Sequence, residues 1–218
     1  MNSKILAMAF SAVLLFSVVS IAIPIPSAEA GKATSITING GHPCKLIGGT
    51  RWDRIASQCY ISGTKTIDKN FNIPAGVTVF FESGSKVTIG QITISIQSGG
   101  NMYNNFGTIT SSATIYNYGI FTNYAGTITT NSQSPIVNFS GAIINNSSDN
   151  ADIGTIYNND IINNYNGATI NNNSGATITN NQTIANSGTI NNSGTINGSG
   201  SINPKGTIND SGTCNQCA

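Results

Sequence analysis

The chain has 218 residues, 9 Lys and Arg against 8 Asp and Glu, and a net charge of +1 at neutral pH. Charged residues make up only 8% of it, and no Lys or Arg lies between Lys86 and Lys205. A surface this poor in cations cannot neutralise a run of phosphates, which argues against nucleic acid as a partner. Disorder is argued against too, because aliphatic residues return at fixed intervals through the Asn, Ser, Thr and Gly background.

Residues 1–30 read as a secretory signal. Lys4 precedes an apolar run from Ile5 to about Ile23, and "SAEA" supplies the small-x-small pattern for a cut after Ala30. The alternative is an uncleaved anchor, since the run is nearly long enough to span a bilayer. Residues 31–54 are expected to form an N-terminal cap. It contains Cys44 and Trp52, and the one histidine, His42, reads as a solvated turn residue.

From residue 55 to 213 the expectation is a single all-β domain, a parallel β-solenoid. Ile184, Ile190, Ile196, Ile202 and Ile208 are six residues apart, as are Ile55, Ile61, Ile67, Ile73 and Val79. A step of six lines no face of a helix, but on an extended chain it keeps every Ile on one side. Each hexad reads as a short strand and a corner, with Ile inside and the flanking Thr and Asn outside. One aliphatic contributes about 2 kcal/mol at most, less than the ordering of six residues costs. The hexads must therefore stack, coil on coil.

Three hexads make a triangular coil of about 18 residues, and eight or nine coils give a rod on the order of 40 Å. The eight-residue steps, Ile162 to Ile170 to Ile178, add an even number and keep inside and outside in place. "QITISIQ" alternates as a half-buried strand. Tyr103, Phe106, Tyr116, Tyr118, Phe121, Tyr124 and Phe139 read as large filler for wider coils, with an aromatic binding stripe as the alternative.

"CKLIGGTRWDRIASQC", "NIPAGVTV", "GSKVTI" and the reiterated "GTI-N" together resemble prokaryotic cell-surface proteins with parallel β-helix stalks, such as the adhesin-like and hemagglutinin-repeat groups. That resemblance implies an extracellular or envelope-attached role in adhesion or matrix. The hexads also resemble the left-handed β-helix of hexapeptide acyltransferases. That pattern prefers a Gly, small or acidic residue after the aliphatic, where this chain has Asn or Thr, so the handedness stays open.

The chemistry-bearing residues are few. Cys44, Cys59, Cys214 and Cys217 suggest two disulfides. The solenoid places Cys44 and Cys59 before the first coil and Cys214 and Cys217 after the last, too far apart to cross-link, so the pairing is Cys44–Cys59 and Cys214–Cys217. The C-terminal Cys-x-x-Cys, residues 214–218, reads as a staple in preference to a redox or metal motif.

Asp149, Asp152 and Asp160 are the one acidic cluster, without a basic partner. They read as a polar loop, with a weak Ca²⁺ site as the alternative. Neither a metal nor a cofactor is expected. Asn138, Asn145, Asn146, Asn172, Asn181, Asn191, Asn197 and Asn209 stand in Asn-x-Ser/Thr sequons.

Thr189, Thr195 and Thr207, with Asn191, Asn197, Asn203 and Asn209, are expected to form outer rows. Such rows either satisfy one another or meet an ordered polar lattice such as a sugar polymer or ice.

The functional expectation is a secreted or cell-surface structural or adhesive protein without catalytic activity. Its partners would be glycans, other envelope proteins or itself, and no membrane once the signal is cut. The alternatives are a self-assembling matrix or fibre protein, and a polysaccharide-binding or polysaccharide-active β-helix. The last lacks the paired acids such chemistry needs.

Overall fold

The computed structural model describes residues 35–217, which fall within one compact unit, Ala33–Ala218. The expected signal peptide, residues 1–30, lies outside the described residues. Among the described residues no helix is long and apolar enough to cross a membrane.

The unit is a parallel β-solenoid of about 7 turns with 22 residues per turn. Three walls close each turn. The first holds eight strands from Ile36–Thr37 to Ser201–Pro204, the second nine from Arg51–Asp53 to Thr207–Asp210, and the third eight from Thr64–Ile67 to Thr213–Cys214. Every strand pairs in parallel with the strand one turn away, except Arg51–Asp53, which is antiparallel to Gln58–Ile61. Ile36–Thr37 already pairs in parallel with Phe71–Ile73, so the first wall begins inside the segment expected to be a cap. His42 stands exposed in the short helix Gly41–Leu46, not in a loop. Ile55, read as the first interior Ile, is fully exposed in the turn of the antiparallel hairpin.

Wall alternation follows from the strand period of two. In Thr189–Asn192 the Thr is half-exposed, Ile190 buried, Asn191 half-exposed and Asn192 buried. Aliphatic columns run from turn to turn, as Ile156, Ile178 and Ile196 do in the third wall.

Coil length is corrected by the corners. Equivalent residues are 18 apart only in the last two turns, from Thr177 to Thr195 to Thr213 in the third wall and from Asn191 to Asn209 in the second. They are 22 apart at Asn158 and Asn180, and 26 apart at Asn138 and Asn164. A hexad corner is two residues, such as Ser187-Gly188, Ser193-Gly194 or Lys205-Gly206. An eight-residue step inserts a turn such as Tyr165–Ala168, closed by the Ala168 N–H donating to the Tyr165 carbonyl at 2.9 Å, with Gly167 at φ 79°. Longer corners make fewer turns of the same chain, about 7 rather than eight or nine.

Candidate functional site: the amide ladders and the outer faces

The interior carries a second set of columns that polarity disguised. Where an Asn stands two residues after an interior Ile, Met or Phe on a strand, it faces inward as well, at the corner. In the second wall the Nδ2 of Asn104 donates to Oδ1 of Asn123 at 2.8 Å, and Asn123, Asn146 and Asn172 pass the pattern on to Asn192 at 2.8–2.9 Å. The first wall does the same from Asn117 through Asn138 and Asn164 to Asn186, each step 2.8 Å. In the third wall Asn158 donates to Asn180 at 2.8 Å.

Each amide's other hydrogen crosses the corner to a backbone carbonyl of the next wall. Asn146 thus reaches Thr177 at 2.8 Å and Asn172 reaches Thr195 at 3.0 Å. These side chains are almost wholly buried, so the bonds remove desolvation costs of about 1–3 kcal/mol per group. The glycine beside the ladder is required by space. A Cβ on Gly188 would run into the Ala168 carbonyl oxygen and stand 2.9 Å from the Asn164 amide nitrogen.

The ladders end in different groups. Asn192 donates to Oδ1 of Asp210 at 2.7 Å. In the third wall the next rung is missing because Gly198 occupies its place. Gln216 fills the gap, its Oε1 accepting from Asn180 Nδ2 at 2.8 Å and its Nε2 donating to the Asn180 carbonyl at 3.1 Å. The Cys214–Cys217 disulfide closes the loop that carries Gln216. At the other end, Cys44 and Cys59 are joined in a buried disulfide with χ3 87° and Cα atoms 5.5 Å apart.

Sequence reasoning assigned the aromatics to the interior. Phe121 is buried, but Tyr103, Phe106, Tyr116, Tyr118, Tyr124 and Phe139 stand on outer faces, so wider coils do not use them as filler. Even spacing cannot tell two strand faces apart, and the small interior is already full of Ile and Asn. The outer column of the second wall starts with Arg51, whose guanidinium lies 3.5 Å from the Tyr60 ring centroid. Tyr60, Phe80 and Tyr103 follow at centroid spacings of 5.3 and 5.2 Å, the last pair stacked at 1°. Burial, then the charge of Tyr124, pushes the Tyr103 hydroxyl above its ordinary pKa. A second stack joins Tyr118 to Phe139 at 4.2 Å and 5°.

In the stacked pairs, Phe80 with Tyr103 and Tyr118 with Phe139, each ring covers one face of its neighbour, which leaves the ring edges and tyrosine hydroxyls prominent on the outer face. After Thr122 the second-wall column becomes Asn145, Asn171, Asn191 and Asn209, bonded to one another at 2.8–2.9 Å.

The expected sequons divide. Asn138, Asn146 and Asn172 are buried ladder rungs, while Asn145, Asn181, Asn191, Asn197 and Asn209 lie outside. Asp149 tops an exposed turn whose Asp152 and Ala151 N–H groups bond its carboxylate and lower its pKa. Asp149, Asp152 and Asp160 do not form a metal-ready group. The described residues bring together Asp210, Cys214 and Cys217 instead, with ligand atoms within 4.8 Å of one another.

No family model, no curated protein and no solved structure matches the chain.

Proposed function

We propose that this protein is a stiff, extracellular or cell-surface structural rod that adheres through its uncharged outer faces. The observation that carries the reading is the set of interior amide ladders. Each turn is bonded to the next through side chains as well as backbone, so spacing along the axis is fixed without any ligand.

The outward faces fit contact with uncharged, hydroxyl-rich surfaces such as glycans. They combine an amide row, half-exposed Thr and tyrosine edges, with no lysine or arginine between Lys86 and Lys205. The disulfides suit an oxidising compartment.

Two measurements test the proposal. Antibody labelling of intact cells that make the protein is expected to stain their surface, and exclusively cytosolic signal would sink the localisation. A glycan array probed with the full chain is expected to retain it on a subset of glycans; uniform absence of retention would remove glycan adhesion and leave a structural rod alone.

A further inference from the structure

We infer that Asp210, Cys214 and Cys217 form a redox-gated site for a thiophilic divalent cation, with zinc as the best-suited ion. Three separate elements of the last turn converge there. Asp210 ends the second-wall strand Thr207–Asp210, Cys214 ends the third-wall strand Thr213–Cys214, and Cys217 returns from the loop beyond. Their donor atoms all lie within 4.8 Å of one another, and the two cysteines are half-buried.

The carboxylate is already oriented. Its Oδ1 accepts from Asn192 Nδ2 at 2.7 Å and from the Gly212 N–H at 3.2 Å. Its second oxygen receives no hydrogen bond among the described residues and remains for an ion. Hydrogen bonds that fix a ligand in this way raise metal affinity.

In the structure the sulfurs form a disulfide and cannot ligate. A dithiol reductant changes that. It delivers two electrons and two protons to the S–S bond and is itself oxidised to a cyclic disulfide. Zinc then displaces the two thiol protons, and the sulfurs move apart to roughly the 3.8 Å that two thiolates of one tetrahedral zinc keep. Two thiolates, one carboxylate and a water complete four positions.

The consequence reaches the interior. Either bond, sulfur to sulfur or sulfur to metal, closes the loop that holds Gln216 on Asn180. The clip thus has two closed states and one open state, the reduced and metal-free one.

The test uses the full chain. Mild dithiol treatment is followed by thiol mapping, to establish that Cys214 and Cys217 are reduced while the buried Cys44–Cys59 pair stays oxidised. Cobalt is then added as a spectroscopic probe and zinc as its competitor. The oxidised chain is expected to show no thiolate-to-cobalt band. The reduced chain is expected to show one, at one ion per chain, abolished in Cys217→Ser.

Asp210→Asn keeps an acceptor for Asn192 and Gly212, yet is expected to weaken binding about tenfold or more with unchanged circular dichroism. Hydrogen exchange at Asn180 and Ser201 is expected to rise on reduction and to fall again with zinc. Absence of the cobalt band after reduction overturns the site. Undiminished affinity in Asp210→Asn overturns the three-ligand assignment.

Discussion

Asn171 and Asn172 are neighbours in sequence with opposite fates. Asn171 lies in the outer row, and Asn172 is a buried rung that accepts from Asn146 and donates to Asn192 and to Thr195. Asn172→Ala is expected to cost about 2–4 kcal/mol, because it strands buried groups on both adjoining turns. Asn171→Ala is expected to stay within about 0.5 kcal/mol. Thermal unfolding of the two variants side by side checks this.

At the same scale, Asp53 holds the amides of Ala56 and Ile55, and Asp149 those of Asp152 and Ala151. Those bonds keep both carboxyls below the ordinary aspartate value of 3.8. Since the folded value is the lower one, their contribution is fully present above the ordinary value and is lost as pH falls through the folded one. Amide exchange at Ile55 and Ala151 is expected to be constant down to about pH 4, after correction for intrinsic rates, and to accelerate beneath it.

The strand is where sequence and structure agree best. Thr-Ile-x-Asn spells outside, inside, outside, inside, and the Ile columns were legible from a step of six residues. Parity also stated that an Asn two places after Ile shares its side. The expectation that amides face water hid this, and only the facing amide one turn away makes burial acceptable. The aromatic column was hidden for a different reason. Tyr60, Phe80 and Tyr103 are scattered along the chain and meet only through parallel register.

Phe80→Ala is expected to cost about 1–2 kcal/mol, as it removes the middle ring of that stack, with Phe80→Leu recovering part of the loss. Chemical denaturation of both variants checks the order. The hexads also suggested uniform coils, but corner length is set by turns such as Tyr165–Ala168, which repeat counting alone does not weigh.

Across the whole unit, cohesion comes from apolar columns, backbone pairing and amide ladders. Among the described residues the one ion pair is Arg51–Glu82, at 3.5 Å and partly exposed. Stability is therefore expected to change little between low and molar sodium chloride, within about 1 kcal/mol. A melting-temperature series in salt checks it, and a steep decline would mean that charge does more than the geometry assigns to it.

The ladders carry one more implication. The interior Asn-to-Asn bonds donate toward the later turn, whereas the outer row of Asn145, Asn171, Asn191 and Asn209 donates toward the earlier one. In the second wall the two amide series therefore run in opposite senses and offset each other. At the C-terminal end the second- and third-wall ladders close on acceptors, the Asp210 carboxylate and the Gln216 oxygen. A copy docking there would meet columns whose last donors are already spoken for, so the ladders do not extend from one molecule into the next.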